Sequence, residues 1–175
     1  MTIGFANVCT RLAGKPGAVA AIFRLDNPTE DDETVHVLRR RLFERIDEAA
    51  AEQVIEEYRA LWHAQRDALT SEATKAETLT GLQDGYPLHP DVLETFTSKT
   101  ATLANFQRVR GMLRILGRTV SRLWELKPAD ATAIHLHHID PGYEPVRQEF
   151  VTRLGQSMYV PAIRSDIAGE QGKRA

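Results

Sequence analysis

Apolar residues recur at helical spacing in several stretches of the chain, with polar residues on the opposite faces. The sharpest is NFQRVRGMLRILGRTVSRLWELK, residues 105–127. Val109, Leu113, Leu116, Val120, Leu123 and Trp124 form one side of it, and Arg110, Arg114, Arg118 and Arg122, four residues apart, share another. This predicts one amphipathic helix, with Asn105 well suited as its cap. Upstream, Val35, Leu38, Leu42 and Ile46 predict a helix running through Ile46. Asn27-Pro28-Thr29 gives its start signal, Thr29 and Asp32 form a capping box, and acids fill the first turn. A second helix, capped by Asp47, is expected to reach about Leu69 and to bury Val54, Ile55, Tyr58, Leu61 and Trp62. Two helices joined by a short link suggest an antiparallel pair.

The weaker patterns complete the outline. AVAAIFRL, residues 18–25, reads as a short buried strand after a GKPG turn. Residues 70–89 are polar, contain Gly81 and Gly85, and read as a loop with one helical turn. Pro90 suits the first turn of a helix over residues 91–101 that buries Val92, Leu93 and Phe96. AIHLHHI, residues 133–139, alternates as a strand does; Asp140-Pro141-Gly142 is a turn; residues 145–154 form a last helix before a frayed end. The fold class is mainly α, with one or two short β-strands near the ends. Residues 1–28 are read as the remnant of a preceding core, 29–127 as a helical domain, and 128–175 as a small αβ segment.

Charge sharpens this picture. The net charge is −2, yet five arginines and Lys127 against Glu125 give residues 105–127 a charge of +5, leaving −7 elsewhere. Cys9 is the single cysteine, which excludes an internal disulfide and suits a reducing compartment. No run approaches the roughly 20 apolar residues of a membrane span, and no signal-peptide pattern opens the chain. A cytoplasmic protein that does not enter membranes is expected.

Candidate chemistry centres on the arginine helix. A guanidinium fork suits phosphate, and Arg108 and Arg110 lie in the first turn, where free backbone N–H groups add to anion attraction. The alternatives are ion pairs to the acidic helices over residues 30–57, above all for Arg118 and Arg122, or docking on nucleic-acid backbone. The GK pair at Gly14-Lys15 fails as a phosphate loop, because Cys9 and Pro16 stand where that motif needs glycine and a hydroxyl residue. His135 and His137 would share a strand face, but only Asp140 lies near to complete a ligand set, so no metal site is expected. No serine sits in a G-x-S-x-G elbow and Cys9 has no evident partner; no catalytic residues are assigned.

YPLHP at 86–90, followed by TSKTATLANFQRVRGMLRILGRTVSRLWE, resembles the domain-of-unknown-function 499 family, large bacterial and archaeal P-loop ATPases of the AAA+/STAND type. VLRRRLFERID, HLHHIDPGYEPVRQEFVTRL and SDIAG resemble its flanking segments, so the likeness spans about residues 30–170. It implies a helical lid-type bundle that follows a nucleotide-binding core. Such lids carry a sensor-2 arginine in a G-x-x-R setting, which Gly111-Met112-Leu113-Arg114 matches. Arg114 is therefore the leading contact to nucleotide phosphates, with Arg110 and Arg108 next.

The chain departs from the family pattern in having no Walker A lysine and no convincing Walker B acid. The resemblance thus implies a part that acts with a missing core, its partner. ATP with Mg would bind only through that core, and the chain alone would need no cofactor and hydrolyse nothing, although the parent would be an ATPase. Related ATPases occur near DNA-modification and phage-defence genes. The rival expectations are a nucleic-acid-binding module, using residues 105–127 with a winged segment at 133–139, and a helical module docking on an acidic protein.

Overall fold

The computed structural model of the chain describes residues 8–11, 31–70, 75–99, 108–128, 131–154 and 157–167. It is mainly α. The elements are β1 (Cys9–Arg11), α1 (Asp31–Leu42), β2 (Phe43–Ile46), α2 (Glu48–Ala64), α3 (Ala76–Gly85), α4 (Pro90–Glu94), α5 (Arg108–Leu126), α6 (Glu144–Leu154) and the single turn α7 (Val160–Ala162). A π-helical turn over Thr95–Lys99 extends α4. The strand expected at 18–25, the Thr29 cap, the Asn105 cap and residues 168–175 lie outside the described residues.

Helix α5 is the axis of the core. Met112, Leu113, Ile115 and Leu116 are each at most 1% exposed, and Val109, Val120 and Leu123 are buried with them. The apolar side is wider than the sequence stripe because α5 is covered by α1 and by α6. Each fully buried aliphatic side chain contributes about 1.5–3 kcal/mol of transfer free energy. Thr119 joins this interior by donating its hydroxyl to the Ile115 carbonyl at 3.0 Å, as a buried hydroxyl must.

Helix α1 stops at Leu42, four residues before the expected end. Phe43–Ile46 instead pairs antiparallel with Cys9–Arg11, Cys9 opposite Ile46 and Arg11 opposite Phe43, with a register shift between Thr10 and Arg11. Local helical spacing could not reveal a partner strand that arrives from more than 30 residues upstream. The expected antiparallel pairing of the first two helices is replaced as well: α1 packs chiefly on α5, while α2 packs on α3. Arg39 bridges these elements, donating to the Asp84 carbonyl at 3.1 Å and facing Glu48 at 3.4 Å. Asp47 caps α2 as expected, its Oδ1 accepting from the Ala50 N–H at 3.1 Å. The helix ends at Ala64 rather than Leu69, and Leu61 is 49% exposed, outside the buried stripe.

Residues 76–85 correct the loop reading. Leu82 is fully buried, and Leu79 packs against the core at the matching helical spacing. The glycines that suggested a loop are close-packing positions. A Cβ at Gly85 would come within 3.1 Å of Leu93, and one at Gly81 within 3.3 Å of Pro90. The chain then turns through Tyr86-Pro87 into α4, with Pro90 in the first turn as expected.

Residues 133–139 form no strand. Ile134 makes one isolated parallel bridge to Leu88, in which Ile134 donates to the Pro87 carbonyl at 2.7 Å and His89 donates to the Ile134 carbonyl at 2.9 Å. Leu136–His138 then closes into a 3₁₀ turn. The alternation fails because, among the described residues, no neighbouring strand continues the ladder beyond that bridge. The turn at Asp140-Pro141-Gly142 forms as expected, with Asp140 Oδ1 accepting from the Gly142 N–H at 2.7 Å.

Candidate functional site

The bulky apolar positions of α5 pack inward, which leaves the polar row Arg110, Arg114, Arg118 and Arg122 along the remaining side. The structure places α6 and the preceding turn against this row. Arg114 faces Glu149 at 3.7 Å and Arg118 faces the same carboxylate at 3.7 Å. Arg122 pairs with Asp140 at 2.8 Å, and its guanidinium carbon lies 4.5 Å from the Tyr143 ring centroid, within cation–π range. The ion pairs expected between Arg118 or Arg122 and the acidic helices over 30–57 are thus made instead to Glu149 and Asp140. The sequence concealed this because those acids lie outside the acid-rich stretch. Arg110 is half-buried. Arg108 opens α5, and its side chain lies outside the described structure.

The carboxylates are themselves held in place. Glu149 is only 14% exposed. Asp140 is fixed by the Gly142 N–H. Arg147, 2% exposed, donates to the Gly142 carbonyl at 3.1 Å and pairs with Glu144, so a buried guanidinium anchors the start of α6. The acidic row facing the arginines is therefore attached to a built support. The Arg114 and Arg118 contacts exceed hydrogen-bonding distance and hold by charge rather than by a directed bond.

A second cluster joins the two segments that the Leu88–Ile134 bridge brings together. The His89 and His135 rings stack with centroids 4.3 Å apart, His137 stacks on His135 at 5.5 Å, and Trp62 meets His89 edge-on at 6.3 Å. The Tyr58 hydroxyl lies 2.7 Å from His135 Nε2 and 2.8 Å from Thr132 Oγ1. The His138 Nδ1 accepts from the His135 backbone N–H at 2.9 Å. Burial pushes the His135 imidazole down to about 4 from an ordinary 6.5, and the neighbouring His89, His137 and His138 push the same way. Burial also lowers His89, partly offset by the Asp91 carboxylate. In the neutral form favoured by burial, His89 Nδ1 accepts from the Asp91 N–H at 3.3 Å. Burial raises the Tyr58 phenol, while its bond to Thr132 works the other way.

His89, Tyr58 and Thr132 were not among the sequence candidates. Tyr58 was expected only as part of the buried stripe of the second helix, and His89 only as part of the YPLHP segment of the family resemblance. Among the described residues no three His, Cys, Asp or Glu side chains are placed to hold a metal ion. Stacked imidazole rings are an arrangement for packing two loops, since a ligand set needs lone pairs that converge on one point.

A helical chain with a basic helix clasped by a carboxylate-bearing helix is the class of protein that fold and site define. Residues 29–174 match the family model described as DUF499 second domain, and the chain belongs to the DUF499 family. Neither a curated protein nor a solved structure matches it. No described helix is long and apolar enough to cross a membrane.

Proposed function

We propose that this chain works as the helical lid of an AAA+/STAND-like ATPase, Arg114 contacting nucleotide phosphates when a P-loop core supplies the nucleotide. The observation that carries this is the Arg114–Glu149 contact: a guanidinium with 27% of its side chain exposed, in a G-x-x-R setting, facing a carboxylate at 3.7 Å. A terminal phosphate offers the same guanidinium more charge and better bidentate geometry than Glu149 does. Exchange of Arg114 from Glu149 to phosphate would couple nucleotide state to the α5–α6 contact, and so to lid position. The match to a second domain supports a part that works beside another domain. Docking of α5 on nucleic acid or on an acidic protein is the second reading; it would have to displace Asp140 and Glu149 from three arginines of the row at once, where a nucleotide phosphate need displace only Glu149 from Arg114.

The test uses the parent protein that contains both P-loop core and lid. Arg114→Ala is expected to lower ATP turnover at least about tenfold, on the scale of a lost arginine contact to a transferring phosphate. Glu149→Gln is expected to keep turnover while costing up to about 1 kcal/mol of stability, as a partly exposed ion pair should. Equal stability losses in both variants with turnover intact in both would make Arg114 a purely structural partner of Glu149. The 175-residue chain alone is expected to show no ATPase activity.

A further inference from the structure

Helix α2 ends beside the start of α3, and a cavity of about 310 Å³ lies between them. Arg59, His63 and Arg66 recur at i, i+4 and i+7, so α2 and its following turn bring three nitrogen-bearing side chains to one wall. Lys75 and Ala76, at the start of α3, border it from the other side. Trp62 and Leu79 form the apolar floor.

The walls are positioned by the fold. The turn carrying Arg66 is tied by Gln65 donating to the Leu61 carbonyl and by Ala68 donating to that of Gln65, both at 2.9 Å. Trp62 is held from within, edge-on to Tyr58 at 5.7 Å and to His89 at 6.3 Å. Lys75 occupies the cap position of α3 and, as a lysine, has no side-chain acceptor for the first-turn N–H groups. No described acidic side chain lines the cavity; Glu56 pairs with Arg59 from outside it. Cations after a helix C-terminus suit the helix dipole, but that accounts neither for the concave shape nor for Lys75 on the opposite wall. The volume falls at the lower end of the range of small-molecule sites.

We propose that this cavity binds a small organic phosphate, with Arg59, Arg66 and Lys75 taking the phosphate and Trp62 and Leu79 receiving the apolar portion. It shares no residue with the α5–α6 face and stands whether or not Arg114 contacts nucleotide. Guanidinium supplies planar paired donors to the phosphate oxygens, the ammonium adds a point charge, and the indole face accepts a ring or alkyl group.

The experiment titrates the 175-residue chain with AMP, inorganic pyrophosphate and adenosine at low salt, by calorimetry and by Trp62 fluorescence in a Trp124→Phe background. AMP is expected to bind and to quench Trp62, pyrophosphate to bind without a stacking contribution, and adenosine to bind far more weakly than AMP. Affinity should fall as salt rises. The double variant Arg59→Gln/Arg66→Gln, at exposed positions that leave the core intact, should weaken AMP about tenfold or more, since tenfold corresponds to about 1.4 kcal/mol. Arg114→Gln should bind AMP as the unmodified chain does. Absence of binding by both AMP and pyrophosphate at millimolar concentration overturns the proposal. So does a folded Arg59→Gln/Arg66→Gln protein, checked by circular dichroism, that binds AMP undiminished.

Discussion

Tyr58 concentrates more structural work than its place in a helical stripe suggests. Its ring packs among Trp62, His89 and His135, and its hydroxyl serves both Thr132 and His135. Tyr58→Phe keeps the ring and removes the shared hydroxyl, so it should cost about 1–2 kcal/mol, read from the urea midpoint. His135 adds a pH dependence whose sign follows from burial. Its folded value near 4 lies below the unfolded 6.5, so between these values the unfolded chain binds a proton that the folded one refuses. The stability held above about pH 6.5 is therefore lost as pH falls toward 4, and the lowered His89 acts in the same direction. His135→Asn should flatten the dependence of the unfolding midpoint on pH across that window. An unchanged slope would show that other groups carry it. None of this was legible in the sequence, because Tyr58, His89 and His135 meet only after non-local folding. The Asp47 cap was legible, since cap and N–H donor lie three residues apart.

At the scale of elements, α5 shows why one pattern was readable and another was not. The core of its apolar stripe and its arginine row follow from spacing alone, because every neighbour on a helix face is within four residues, whereas the burial of Met112 and Ile115 depends on the covering helices. What faces the row, Asp140 and Glu149, depends on how the chain returns through α6. Helix α3 was obscured by glycines whose reason is contact with Pro90 and Leu93, and β2 by a helical pattern that a distant strand overrode. The end of α5 yields a prediction of its own. Lys127 has φ of 45°, a left-handed conformation that a side chain disfavours, and its N–H closes the helix on the Leu123 carbonyl at 2.8 Å. Lys127→Gly relieves that conformation and should raise stability by about 0.5 kcal/mol after the greater freedom of glycine in the unfolded chain is counted. Lys127→Val should lower it, because a branched Cβ fits the left-handed region poorly. Thermal midpoints that fail to follow the order Gly, Lys, Val would mean that Lys127 is stabilised there by its side chain.

The whole molecule poses a question that Cys9 can answer: whether the N-terminal strand belongs to the same cooperative unit as the helices. Val8 and Cys9 are 3% and 4% exposed within the common core, and the Asp47 N–H donates to the Val8 carbonyl at 2.8 Å. Against this, β1 spans three residues and, among the described residues, pairs only with β2. Burial pushes the Cys9 thiol up to about 12, the nearby Arg39 charge easing it and Glu48 adding to it, so little thiolate exists at pH 8 while the strand is docked. A disulfide reagent must therefore wait for β1 to open. Two buried side chains and a few ladder bonds are a small share of what the helical core buries, so opening should be local rather than global. Labelling of Cys9 is expected well below the urea transition seen by tryptophan fluorescence, with an opening free energy that depends only weakly on urea, as the small surface exposed requires. An opening energy and urea slope equal to those of global unfolding would instead make β1 an integral part of the helical core.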